Sequence, residues 1–192
     1  MKDSIFDYLV SSDHLDVVLT TRVAVYSGRY GSGKTALAVH DALRLVRMNA
    51  ARYIYTNLDL SNFEIEREER EFNAVDLCDA VILLDEAWLY LALDVSAKEL
   101  KRFLAFLRKQ NLYLLLPSVL PLQRYVERAA VRVRRFYSFS WLGLPAWLYR
   151  WELGRGRDVI RGYWWWFNYS AIFGEYDTTQ RRFDSIKLYR AH

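Results

Sequence analysis

Gly28-Arg29-Tyr30-Gly31-Ser32-Gly33-Lys34-Thr35 concentrates the chemistry of this chain in eight residues that fit G-x-x-x-x-G-K-[ST]. Glycines let a loop turn its backbone amides inward onto an anion. The helix that must follow adds its positive N-terminal end. A lysine at Lys34 reaches β- and γ-phosphate oxygens, and the hydroxyl of Thr35 can ligand Mg²⁺. The expected ligand is a nucleoside triphosphate, with ATP and Mg²⁺ as cofactors and Lys34 as a catalytic residue.

A second group completes that chemistry. Val81-Ile82-Leu83-Leu84 is apolar and runs into Asp85-Glu86. A buried strand would deliver both carboxylates to its C-terminal end, where ligands bind in open α/β sheets. Asp85 can hold the Mg²⁺ shell. Glu86 is placed to polarise a water for attack on the γ-phosphate. An acidic pair after an apolar strand is usually a turn or a helix cap. With a phosphate loop upstream, it reads as the Walker B element of a hydrolase. Ser118 and Gln123, after the next apolar run, are candidates to sense the γ-phosphate. Arginines from a neighbouring subunit often complete such sites. The pool is Arg108, Arg128, Arg132, Arg134 and Arg135, with Arg108, Arg128 and Arg132 as candidates, each singly more at home on a solvated surface.

The elements that must position these residues follow from periodicity. Arg22–Tyr26, Arg52–Thr56, Ala80–Leu84 and Leu112–Leu116 read as strands; a continuous apolar run marks a strand covered on both faces. Lys34–Met48 reads as a helix ending at Asn49, with Leu37, Ala38, Ala42 and Leu45 on one face. Leu100, Phe103, Leu104 and Leu107 recur at helical spacing, predicting a helix over Ser96–Gln110, with Ser96 and Glu99 as a capping box. Glu64–Phe72 is charged and is expected to be a surface helix, and Pro121–Ala130 a short one. Residues 1–20 show no clear period. Beyond residue 131 the strands Arg132–Trp141, Ala146–Leu153 and Val159–Phe173 are expected. The intervening turns, at Gly143-Leu144-Pro145 and Gly154-Arg155-Gly156-Arg157, are short enough to demand antiparallel pairing. The alternation of strand and helix before them predicts an α/β fold with a mostly parallel central sheet flanked by helices. The C-terminal part is then an antiparallel β-rich extension.

With 192 residues the chain is sized for one domain: a segment 1–20, a nucleotide-binding core 21–131 and a Trp-rich extension 132–192. The single cysteine, Cys78, excludes an intramolecular disulfide. Met1-Lys2-Asp3-Ser4 does not open a signal peptide. The longest apolar stretch, Leu112–Leu122, is eleven residues interrupted by two prolines, against roughly 18 for a membrane span. A soluble protein is expected. Charge is segregated. Asp59–Asp94 holds eleven acids and two bases, a net of −9, and Leu100–Arg135 holds nine bases and one acid, a net of +8. Such asymmetry suits a polyanion or a head-to-tail subunit contact, or two solvated surfaces. Six of the seven tryptophans fall between Trp141 and Trp166, interleaved with Arg150, Arg155, Arg157 and Arg161. They read as a β layer packed on the sheet, with an oligomer contact, a lipid surface or a base-stacking platform as alternatives.

Taken in order, GRYGSGKT, YIYTNLDL, VILLDEAW, the helix end FLRKQN and the tail Gly174-Glu175-Tyr176-Asp177-Thr178 resemble the FtsK–HerA superfamily of P-loop ATPases. Within it the likeness is to viral genome-packaging ATPases and to the zonula occludens toxin-like proteins of filamentous phages. The resemblance spans roughly residues 22–180 and implies a P-loop NTPase of the additional-strand (ASCE/RecA-like) type. It also implies a ring-forming homo-oligomer, a hexamer or pentamer, that moves double-stranded DNA without regard to sequence. By that likeness Gly28–Thr35 is the phosphate loop, Asp85 the metal-shell acid and Glu86 the catalytic base. Lys101, Arg102, Arg108 and Lys109 are the candidate DNA contacts. Two departures stand out: Pro117-Ser118 replaces the glutamine usual at the end of the fourth strand, and the membrane span of the toxin-like branch is absent. The expectation is therefore a genome-packaging motor in the host cytoplasm or on the virion, meeting capsid-vertex or inner-membrane proteins. The alternative is a toxin-like ATPase for virion assembly or extrusion at a membrane.

Overall fold

The computed structural model describes residues 13–60, 65–68, 78–91, 97–122, 124–141, 144–154, 159–167, 172–173 and 187–191. Gln123, Ser96 and the tail Gly174–Thr178 lie outside the described residues.

In chain order the elements are α1 (His14–Thr21), β1 (Val23–Ser27), α2 (Lys34–Arg47), β2 (Tyr53–Thr56), β3 (Ile65–Glu68), β4 (Ala80–Leu83), α3 (Trp88–Leu91), α4 (Ala97–Lys109), β5 (Leu112–Ser118), α5 (Arg124–Ala129), β6 (Val131–Trp141), β7 (Leu144–Leu153), β8 (Ile160–Phe167) and β9 (Lys187–Ala191). All the strands join one mixed sheet in the order β3-β9-β2-β4-β5-β1-β6-β7-β8. The central run β2-β4-β5-β1-β6 is parallel. β7 and β8 extend it antiparallel on one side, and β9 and β3 on the other.

Alternation along the central strands explains their unbroken apolar sequences. Val23 and Val25, Ala80 and Ile82, and Leu112, Leu114 and Leu116 pack on one face with Leu107 of α4 and Val126 of α5. Ala24 and Tyr26, Val81 and Leu83, and Tyr113 and Leu115 pack on the other, against Leu15 and Val18 of α1 and Leu37 of α2. Both faces are covered, so no position on these strands calls for a polar residue. Trp147, Trp151, Trp164 and Trp166 join the second of these faces. The expected β layer packed on the sheet is thereby corrected: β7 and β8 continue the sheet itself, and these four tryptophans lie on its core-facing side.

Besides α3 and β9, where no element is expected, and Leu144-Pro145, expected in a turn but opening β7, three elements depart from expectation. Helix α1 forms inside the stretch that shows no period. The Asp13 carboxylate accepts from the Leu15 amide at 3.0 Å, and Arg22 closes the helix in the left-handed region at φ 67°. The surface helix over Glu64–Phe72 is overturned at its centre, because Ile65–Glu68 is an edge strand. It pairs antiparallel with β9, Glu66 standing opposite Arg190 in the register. β5 runs on through Pro117 to Ser118, beyond the expected end at Leu116. Pro117 is tolerated there while its carbonyl accepts from the Ala87 amide at 2.9 Å. Among the described residues, no helix is long and apolar enough to cross a membrane.

Candidate active site

The loop Gly28–Gly33 leaves the C-terminal end of β1 and turns directly into α2. Gly31 and Gly33 take φ of 71° and 79°, the left-handed region that a β-carbon disfavours. Gly33 caps α2, its carbonyl accepting from the Leu37 amide at 3.0 Å. The amides ahead of Leu37 in the first turn have no partner within the helix.

The neighbouring strands place the acidic pair against this loop. β5 lies between β1 and β4, and Asp85-Glu86 follow the end of β4. Thr35 Oγ1 donates to Asp85 Oδ1 at 2.8 Å. Lys34 Nζ lies 3.6 Å from Glu86 Oε1, with both side chains largely buried. The Thr35–Asp85 contact bridges residues 50 apart in sequence, and Lys34–Glu86 spans two more. Burial raises the Asp85 carboxyl above its ordinary range. The Thr35 hydrogen bond and the Lys34 charge pull against that, and the Glu86 charge adds to it.

The donor set suits magnesium. Mg²⁺ binds through one or two carboxylates together with substrate phosphates and waters, and Thr35 with Asp85 offers a hydroxyl beside a carboxylate. Among the described residues no cluster of three or more His, Cys, Asp or Glu side chains forms an all-protein metal site.

Glu86 has a left-handed backbone, φ 51°. Sparsely populated conformations of this kind gather at functional sites. Its Oε2 accepts from the Trp88 indole N–H at 2.9 Å, so one carboxylate oxygen is anchored while the other faces Lys34. Trp88, in VILLDEAW, has no role predictable from its type alone; its position two residues after Glu86 is the signal the sequence offers.

Asn57 is a further residue that sequence reasoning left without a role. Its side chain is buried. It accepts from the Asp85 amide at 2.9 Å and donates to the Asp85 carbonyl at 3.0 Å. The end of β2 thereby fixes the backbone that carries Asp85 and Glu86. Asn57→Ala would leave both backbone groups unpaired, at about 1–3 kcal/mol for each buried group left unsatisfied. The expected result is a lowered denaturation midpoint and a larger loss in kcat than in KM. Unchanged stability and kcat would refute the positioning role.

The other candidates distribute differently. Ser118 is buried at the end of β5, paired in register with Ser27. Its hydroxyl donates to the Leu120 carbonyl at 2.6 Å, so it serves the turn. Arg108 and Arg128 are exposed, near the ends of α4 and α5 that lead into the starts of β5 and β6. This is the end of the sheet opposite the Gly28–Gly33 loop. Arg132 is paired with Glu152 at 3.4 Å in the same chain. Lys101, Arg102, Arg108 and Lys109 are exposed on one side of α4, in line with Lys98. Arg134 and Arg135 of β6 line a small cavity together with Ser27, Ser32 and Lys34.

No protein-family model, curated protein or solved structure matches the chain.

Proposed function

We propose that this chain is a P-loop ATPase of the additional-strand type that hydrolyses ATP to ADP and phosphate and uses the energy to move DNA, in the packaging of a viral genome. The observation that carries the reading is the meeting of Lys34 with Glu86 and of Thr35 with Asp85, at the end of three adjacent parallel strands. The added strand β5 between β1 and β4 is the arrangement that the proposed class requires.

In this reading the Gly28–Thr35 amides and Lys34 hold the phosphates. Thr35 and Asp85 would hold Mg²⁺, which neutralises phosphate charge when bound. Glu86 accepts the proton of the attacking water, and Trp88 and Lys34 keep its carboxylate aimed. The exposed basic side of α4 supports a sequence-independent contact with DNA phosphates. A homo-oligomeric ring would let a neighbour supply a further arginine, with Arg108 and Arg128 both solvent-facing. Host cytoplasm and virion, and capsid-vertex or inner-membrane proteins as partners, belong to the same proposal.

The test is ATP turnover with and without double-stranded DNA across a salt series. Stimulation that fades with salt is expected; turnover indifferent to DNA would remove the translocase reading and leave the hydrolase. A second expectation concerns the slope of log affinity against log salt. Replacing Lys101 and Arg102 by Ala should shrink it by about 1 for each lost phosphate contact. An unchanged slope would exclude α4 as the DNA surface.

A further inference from the structure

We propose that Trp147 is a positioning residue for the phosphate loop, coupling the C-terminal β6-β7-β8 layer to nucleotide occupancy. The inference rests on reading Gly28–Thr35 as that loop.

Trp147 belongs to β7, more than a hundred residues beyond the loop, and is buried. A β-carbon placed on Gly33 would overlap the six-membered ring of Trp147, whose Cζ3, Cη2 and Cε3 are its three nearest atoms. The ring therefore lies directly against the Gly33 backbone, at the residue that caps α2 in the left-handed conformation. The direction of the loop amides depends on that backbone, so a ring that fixes Gly33 fixes where the amides point.

The ring is itself held from several sides. The Arg135 guanidinium carbon sits 5.0 Å from its centroid. Trp166 and Tyr149 meet it at steep angles, with centroids 6.0 and 6.2 Å away. Trp166 packs on Trp164 at 6.0 Å and on His40 of α2 at 4.6 Å. Trp147 is thus clamped between the loop and the aromatic layer, and a shift of either one moves the other. Coupling of this kind is reciprocal: a nucleotide that orders the loop must also bias the layer, and a ligand that displaces β7 must alter nucleotide affinity.

Calorimetric ADP titration of the full chain, with tryptophan fluorescence and a melting curve, tests this on Trp147→Leu and Trp147→Phe. The leucine variant should bind ADP about 5- to 150-fold more weakly, the usual range of site-to-site coupling. The phenylalanine variant, which keeps a ring under Gly33, should recover most of the affinity. Wild-type fluorescence should change on ADP binding; in a Trp88→Phe background, which removes the indole held on Glu86, the remaining change should shrink when Trp147→Phe is added although ADP still binds. A leucine variant that melts like the wild type and binds ADP equally well overturns the proposal. If the leucine variant does not fold, a fluorescence change that Trp147→Phe leaves undiminished in the Trp88→Phe background overturns it. A wild type that binds no ADP, or binding untouched by Lys34→Ala, instead overturns the phosphate-loop reading on which the proposal rests.

Discussion

Glu86→Gln is expected to bind ATP as the wild type does and to lose turnover by about 10²- to 10⁴-fold, the usual contribution of a positioned general base. The amide keeps the shape of the carboxylate and can still meet the Trp88 indole N–H, so the local structure should survive. It cannot take a proton from water. It also removes the negative charge 3.6 Å from Lys34, which should hold or slightly tighten ATP binding while kcat collapses. Single-turnover phosphate release alongside a nucleotide titration separates the two effects. A variant that turns over within threefold of the wild type would exclude Glu86 as the base and favour a binding module with slow incidental hydrolysis.

The largest expected effect on stability comes from Asp41, on the helix that follows the phosphate loop. Its side chain is fully buried. Oδ2 lies 2.5 Å from His14 Nε2 and accepts from the Tyr26 hydroxyl at 2.7 Å, while His40 Nδ1 is 3.4 Å from Oδ1. Asp13 and Arg44 form a second ion pair beside the cluster. Asp41→Ala strands His14 and Tyr26 in the core, and breaking a buried pair in this way costs about 3–5 kcal/mol. Desolvation raises the Asp41 carboxyl. The charge and hydrogen bond of His14, followed by those of His40, outweigh it and hold the group well below the usual carboxylate range.

The sign of the pH dependence follows. A carboxylate depressed in the folded state contributes its full stabilisation above its unfolded value, about pH 4, and loses it as pH falls toward the folded value. Denaturant midpoints of wild type and Asp41→Ala should be far apart near neutral pH and converge below about pH 4. A constant gap across that range would mean that the carboxylate charge contributes nothing.

The central strands were legible because both of their faces are buried, which makes their sequences apolar without interruption. The turn from β1 into α2 was legible because its left-handed positions, at Gly31 and Gly33, call for glycine. Other features depend on distant partners and leave no local mark. β3 becomes a strand only because β9, more than a hundred residues later, pairs with it; taken alone, its charges suit a helix surface equally well. Asn57 looks like an ordinary turn residue until its two bonds to the Asp85 backbone are seen. The same holds for Trp147, one aromatic among many until β7 brings it against Gly33. Helix α1 is short, and its anchors, His14 on Asp41 and Asp13 on Arg44, lie on α2. Ser118 was read from its place at the end of a strand, but its hydroxyl is committed to the Leu120 carbonyl.

The most direct test of the account is steady-state phosphate release from Mg²⁺-ATP by the purified chain, measured beside Lys34→Ala. The account predicts turnover in the wild type that requires Mg²⁺ and falls to background in the variant. Turnover equal in the two proteins, or none in a folded wild type supplied with DNA, would contradict it.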